Sequence, residues 1–259
     1  MDFRSTFDDV AELYDRIRPR YPDALFAELI HRAGLRAGTE LLEIAPGTGQ
    51  ATLPLARRGY RITAVELGAQ MARIARDRLK AYANVAIINA SFEDVSLPSG
   101  AFDLVYAATA FHWIPPEVKF AKPHALLKPS GHLAIIHRHH VSDERGDDFT
   151  AATQPIYRRY ERDTAAEART YVPRRRDELK PEPIDEALFA SVSFAAFPEV
   201  VRYSAQDYAS LLATYSPTLA MAPQARMAFL DDIRRLIEER FDGHVMQHYA
   251  MSLQVARRV

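Results

Sequence analysis

The stretch Leu41-Leu42-Glu43-Ile44-Ala45-Pro46-Gly47-Thr48-Gly49 decides how the rest of the chain is read. Its first four residues form a short apolar run that stops at a Pro-Gly-Thr-Gly turn, the pattern of a buried strand entering a tight loop. Residues 50–58 then read as a helix closed by Gly59, with Pro54 early enough to be accommodated. Working outward, residues 61–66, 85–88, 102–107 and 132–137 give four more apolar strands. Between the second and third, Met71, Ile74, Ala75 and Leu79 recur at helical spacing. A further helix is expected over 116–127, ending at Lys128-Pro129-Ser130-Gly131. Alternating strand and helix with short turns predicts an α/β fold, a doubly wound, mostly parallel sheet covered on both faces. In such sheets ligands bind beyond the carboxyl ends of the strands.

Four sites lie at those ends. The glycine turn 45–49 lets a ligand approach the backbone closely, and the free amides of the next helix favour an anion. Glu66 ends the second strand, where a carboxylate can accept both hydroxyls of a ribose. Ala90-Ser91-Phe92-Glu93-Asp94 follows the third strand and is placed to line a flat base. Residues 107–113, ending in His112-Trp113, follow the fourth strand, where the reacting end of a ligand belongs.

Beyond residue 141 the alternation breaks. Residues 142–186 hold twelve acidic and nine basic side chains, which predicts a solvated helical insertion. Arg174-Arg175-Arg176 inside it reads as part of that solvated face. Residues 200–203 resume a strand, 208–213 and 226–240 read as helices, and 244–255 supplies a last, antiparallel strand. The expected organisation is therefore one domain over 1–259. It comprises a helical cap (1–35), a ligand-binding core (36–140), the charged insertion (141–199), and a C-terminal segment (200–259) completing sheet and lid.

Composition narrows the chemistry. The chain has 259 residues, 48% hydrophobic and 26% charged, as in an ordinary globular protein. It has no cysteine, so thiolate metal sites, disulfides and cysteine nucleophiles are excluded. A formal charge of -1 gives no general attraction to nucleic acid or anionic membrane. The N-terminus lacks an apolar signal core and no run is long enough to span a bilayer, so a cytoplasmic location is expected. In the run His137 to His140, His137 and His139 share a strand face and invite a metal reading while His140 points the other way; a third ligand would have to come from Asp143 or Glu144 folding back, and no metal is expected. Tyr157, Tyr160, Tyr171, Tyr203 and Tyr208 are read as packing rather than as an acceptor pocket.

Taken together, these motifs resemble the class I S-adenosylmethionine (SAM)-dependent methyltransferases. Glu43 to Gly49 is similar to their first motif. Ser91 to Asp94 with Leu97-Pro98 is similar to the adenine-side motif, and Phe102-Asp103-Leu104-Val105 and Leu127 to Gly131 to later ones. Within the family, Tyr14 with Arg18-Pro19-Arg20-Tyr21-Pro22, and Ala110-Phe111-His112-Trp113, resemble features of the type 11, trans-aconitate methyltransferase-like small-molecule subgroup. The resemblance implies SAM as cofactor, S-adenosylhomocysteine as product and a small-molecule acceptor.

Residue by residue, it implies that Glu43 orients the methionine amino group through water and that Gly47 and Gly49 give backbone access. It assigns Glu66 to the ribose hydroxyls, and Ser91, Phe92 and Glu93 to the adenine. Ala107 would offer its carbonyl to the amino group, Tyr14 would close over the cofactor, and His112 would face the acceptor as the candidate catalytic group. Two departures stand out. Ala45 occupies the place of the family's first glycine, where a positive φ is costly, and Ser91 replaces an aspartate. A non-catalytic SAM-binding protein and a nicotinamide-dependent oxidoreductase are the competing readings. The second is opposed by Thr52 standing where the G-x-G-x-x-G fingerprint needs glycine.

Overall fold

The computed structural model describes residues 5–142, 148–160 and 174–259. Two helices, α1 (Ala11–Ile17) and α2 (Asp23–Arg32), precede the sheet. The core then runs β1 (Glu40–Ile44), α3 (Thr52–Ala56), β2 (Arg61–Glu66), α4 (Ala69–Leu79), β3 (Val85–Asn89), β4 (Phe102–Ala108), α5 (Pro116–Lys119), α6 (Ala121–Leu126) and β5 (Leu127–His140). The second half gives α7 (Asp148–Tyr160), β6 (Phe189–Ser204), α8 (Ala205–Leu212), α9 (Ser216–Leu219), α10 (Pro223–Arg240) and β7 (His244–Arg258).

Among the described residues the strands form one seven-stranded sheet in the order β3-β2-β1-β4-β5-β7-β6. β1 to β5 pair in parallel and β7 runs antiparallel to both β5 and β6. Side-chain alternation along the strands explains the two covered faces. Leu41, Leu104, Tyr106, Ala134 and Ile136 pack with Leu25, Phe26 and Leu29 of α2 on one side. Leu42, Val105, Leu133 and Ile135 pack with Phe111, Ile114 and Leu126 on the other. The strand order reverses between β1 and β4, so a crevice opens where their following loops diverge.

Several expected elements differ in extent. The helix after the glycine turn is only Thr52–Ala56, because residues 47–51 are spent on the turn. The helix expected over 116–127 is two short ones broken at Phe120; Pro123 has no N–H to continue the ladder across that point. The segment 141–199 is only partly helical. It holds α7, but residues 189–199 already belong to β6, and β6 rather than β7 forms the sheet's edge. Its alanines, serines and Pro198 obscure the strand in the sequence, and an edge strand accommodates a proline because only one side carries a ladder.

α7, α8 and α10 pack with β6 and β7 into a separate apolar cluster built on Tyr208, Phe229, Ile233 and Ile237. Tyr157 and Tyr160 stack on Phe229, with ring centroids 5.2 and 5.7 Å away. These tyrosines, with Tyr203 and Tyr208, are therefore packing residues; Tyr171, Asp143 and Glu144 lie outside the described residues. Arg174 to Arg176 are exposed, as a solvated face requires. No described helix is long and apolar enough to cross a membrane.

Candidate active site

A cavity of about 320 Å³ sits at the carboxyl ends of β1 to β4. Ala45 and Gly47 from the first loop, Glu66 and Leu67 from the second, Phe92 and Glu93 from the third, and Thr109, His112 and Trp113 from the fourth line it. The N-terminal segment covers it with Phe7, Tyr14, Arg18 and Tyr21, and the loop before α9 adds Tyr215. The volume falls within the range of small-molecule sites, roughly 300–1,000 Å³.

The loop conformations are set by a few backbone angles. Gly47 (φ 58°) and Gly49 (φ 80°) are both left-handed. At Gly49 an added Cβ would also lie 3.0 Å from Leu79 Cδ1, so the turn is pressed directly onto α4. Thr109 (φ 61°) adopts the same region on the opposite loop, where its hydroxyl lies 2.9 Å from Tyr21 Oη.

The two carboxylates expected on β1 and β2 have different surroundings. Glu66 reaches the cavity, its Oε2 accepting from Gly47 N at 2.8 Å and its Oε1 from Gly68 N at 2.8 Å. Each oxygen keeps lone-pair capacity for a further donor. Burial raises its pKa, while the two amides act in the opposite direction. Glu43 is fully buried behind the turn and is not on the cavity wall. Its Oε2 accepts from Thr52 Oγ1 at 2.6 Å and Tyr106 Oη at 2.7 Å, and burial pushes its pKa up to about 7.

His112 stands at the cavity mouth, its ring centroid 4.8 Å from that of Trp113 and 5.7 Å from that of His137. Desolvation first, and His137 second, push its pKa down to about 4, so it is a neutral imidazole near pH 7. Behind it His137 Nε2 lies 3.0 Å from Glu182 Oε1, and His139 Nε2 lies 2.8 Å from Ser252 Oγ. Among the described residues no cluster of three or more histidine, aspartate or glutamate side chains is arranged to hold a metal ion.

Residues 42–135, which supply β1 to β4, most of β5 and the loops that build this cavity, match the family model described as a methyltransferase domain. The domain belongs to the class I SAM-dependent methyltransferases. An uncharacterized methyltransferase of Mycobacterium tuberculosis is 29% identical over 135 residues, covering 52% of this chain and 53% of that protein. The chain thus spans about half the length of that curated relative. Among solved structures, a candidate type II methyltransferase from Anaeromyxobacter dehalogenans superposes with a TM-score of 0.62. It is 24% identical and covers 93% of this chain and 97% of that one. A phosphoethanolamine N-methyltransferase 2 from Haemonchus contortus, in complex with phosphomonomethylethanolamine and S-adenosylhomocysteine, superposes with a TM-score of 0.53. It is 15% identical and covers 99% of this chain and 60% of that one.

Against the expected methyltransferase site, the structure brings Tyr14, Ala45, Gly47, Glu66, Phe92, Glu93 and His112 to one cavity. Four others stand off its wall, Glu43 behind the turn among them. Ser91 Oγ is hydrogen-bonded to Glu93, which itself faces the cavity. Ala107 is fully buried inside β4, and Ala108 and Thr109 line the cavity in its place. Gly49 shapes the turn from behind. Ala45 does adopt the left-handed region, at φ 52°, despite its Cβ. Phe7 and Tyr215 were not legible as site residues, because no spacing pattern joins the N-terminal cap or the loop before α9 to the glycine turn, whereas Thr109 lies within the expected stretch 107–113. Thr52 and Tyr106, the partners of Glu43, were missed because their bonds to it depend on side-chain placement within the fold, which no local pattern shows.

Proposed function

We propose that this chain transfers the methyl group of SAM to a small-molecule acceptor by in-line displacement. The observation that carries the reading is Glu66. Its carboxylate is pinned by amides from two glycines at the end of β2, on the wall of a cavity lined by the loops after four consecutive parallel strands. Held this way it accepts the two hydroxyls of a ribose, and Phe92 and Glu93 lie on the next loop along, where an adenine extends. Gly47 leaves the backbone open to the methionyl part, and Tyr14 covers it from α1. Glu43 acts from behind the turn, holding it through Thr52. The bound cofactor supplies a methyl group already activated by the positive charge on sulfur. The residues' task is then alignment and exclusion of water, and alignment alone accelerates such a reaction by many orders of magnitude.

His112 is the candidate side chain to face the acceptor, with Trp113 as the adjoining wall. Thr52 opposes the dinucleotide reading: it is fully buried and bonded to Glu43 where the dinucleotide fingerprint needs its third glycine for close helix–strand packing.

Calorimetric titration with S-adenosylhomocysteine, using NAD as the control ligand, tests the reading. Micromolar binding is expected, weakened by about 1–3 kcal/mol in Glu66→Ala through loss of a charged acceptor. Preference for NAD, or no binding of S-adenosylhomocysteine, overturns it. Consumption of SAM in the presence of a panel of small acceptors separates an enzyme from a protein that only binds the cofactor.

A further inference from the structure

Phe7 and Tyr14, two aromatic residues that roof the cavity, each stand next to an acidic residue that grips α4. Asp8 Oδ1 accepts from the amides of Gln70 and Met71 at the start of that helix. The two segments touch there, since a Cβ on Gly68 would lie 2.7 Å from the same oxygen. Glu12 meets Arg73 at 3.3 Å, and Asp15 then pairs with Arg78 Nη2. Asp8, Glu12 and Asp15 follow the i, i+4, i+7 spacing that puts side chains on one helix face. Their partners follow in the same order along α4.

These contacts differ in weight. The side chains of Glu12 and Arg73 are 85% and 50% exposed, where water and salt leave an ion pair little net worth. Those of Arg78 and Asp15 are 12% and 28% exposed. Arg78 Nη1 also donates to Thr48 O at 2.9 Å, and Thr48 is the fully buried residue between Gly47 and Gly49. One guanidinium therefore holds both the middle of the glycine turn and the residue next to Tyr14. Tyr14 reaches back to that turn, its Cε1 lying 4.0 Å from where a Cβ on Gly47 would stand. Removing Asp15 would leave a mostly buried cation short of its counter-charge, and removing Arg78 would free the turn and the cap together.

We propose that Arg78 is a positioning residue that couples the N-terminal cap to the glycine turn. With Asp15 paired, α1 lies closed over the cavity and the turn keeps the conformation that a ligand meets. Release of the ligand then requires the Asp15–Arg78 pair to open, with Asp8 as the second fastening. The proposal rests on the methyltransferase reading for which ligand is enclosed, while the coupling itself is measurable without one.

The test compares wild type with Asp15→Asn, Arg78→Gln, the double variant and, as a surface control, Arg73→Gln, each held well below its thermal midpoint. Trp113 is the only tryptophan of the chain and its ring lies 6.1 Å from that of Phe7, so its fluorescence follows dissociation of S-adenosylhomocysteine in stopped flow. Asp15→Asn and Arg78→Gln should each speed dissociation by about tenfold. The double variant should be no faster than Arg78→Gln alone, as for two halves of one interaction. Arg73→Gln should stay within about twofold of wild type. Hydrogen exchange on the ligand-free proteins reads the coupling: Asp15→Asn, a change in the cap alone, should raise exchange across residues 47–53 as well as 11–17. Additive effects in the double variant, a lowered thermal midpoint with unchanged off-rates, or exchange raised in the cap alone overturns the proposal. Wild type that does not bind S-adenosylhomocysteine fails the cofactor reading instead, and the exchange measurement then decides the coupling by itself.

Discussion

Thr52 donates its hydroxyl to Glu43 Oε2 across 2.6 Å, joining the first residue of α3 to the strand that precedes the glycine turn. Tyr106, from the neighbouring strand β4, donates to the same oxygen at 2.7 Å. The turn is thus closed by side chains as well as by backbone. Both bonds are buried and charge-assisted when Glu43 is ionised, so removing either donor leaves an under-satisfied acceptor. Thr52→Val and Tyr106→Phe are each expected to destabilise the protein by about 1–3 kcal/mol in urea unfolding. Midpoints equal to wild type would show that the turn is held by its backbone alone.

Glu43 also fixes a direction of pH dependence. Burial raises its pKa in the folded state from 4.5 to about 7. Between those values the folded chain keeps a proton that the unfolded chain has released. The contribution of Glu43 to stability is therefore fully present below pH 4.5 and is lost as pH rises through about 7. Glu43→Gln removes this dependence. The difference in unfolding free energy between wild type and variant should shift against wild type from pH 5 to pH 7, with a limiting slope of about 1.4 kcal/mol per pH unit. A difference that is flat, or of opposite sign, would place the Glu43 pKa in the ordinary carboxylate range.

Ala45 holds φ 52° where glycine would be unstrained. A left-handed conformation costs a residue with a Cβ about 1–2 kcal/mol, partly offset by the lower unfolded-state entropy of alanine. Ala45→Gly should therefore stabilise the protein by about 1 kcal/mol, a rise of roughly 2–4 °C in thermal midpoint. Affinity for S-adenosylhomocysteine should be retained. A destabilised variant would mean that the Ala45 methyl packs more favourably than its backbone is strained.

What the sequence made legible follows from range. The five parallel strands and the loops after them could be read because each is a local pattern, an apolar run ended by a turn. Glu66, Gly47, Phe92 and His112, read from those loops, lie together on one cavity. Ser91 and Ala107 lie one or two positions from the residues that line the cavity, since which residue of a loop faces inward depends on backbone angles such as those of Thr109. The partly misread segment 141–199 carries strand residues whose alanines and serines have no strong local preference. Their pairing with β7, which itself lies dozens of residues later, decides their structure.

The two glycines of the turn should fail in different ways. An alanine at Gly49 places its Cβ 3.0 Å from Leu79 Cδ1 and 3.6 Å from Ala75 Cβ, in addition to the strain of φ 80°. Gly49→Ala is expected to lower stability by about 1–3 kcal/mol. An alanine at Gly47 meets only Tyr14 Cε1, at 4.0 Å, and its methyl points into the cavity. Gly47→Ala should be the milder fold defect and the larger binding defect, measured by unfolding and by titration with S-adenosylhomocysteine on the same samples. The reverse ranking would mean that the cofactor does not approach Gly47.

Asp8 supplies the last device that no local pattern shows. Its Oδ1 accepts from Gln70 N at 2.7 Å and Met71 N at 2.9 Å, so it caps the first turn of α4 from more than sixty residues away. The adjoining Phe7 lines the cavity and meets Tyr14 and Trp113 edge-on, with ring centroids 6.2 and 6.1 Å away. The cap therefore fastens the segment that roofs the site. Asp8→Ala should cost about 1 kcal/mol of stability, as for other lost caps. It should also speed dissociation of S-adenosylhomocysteine in stopped-flow measurements, because the roof is no longer tied to α4. Stability lost without a faster off-rate would assign Asp8 to capping alone, and the cofactor would then leave without moving the Phe7 segment.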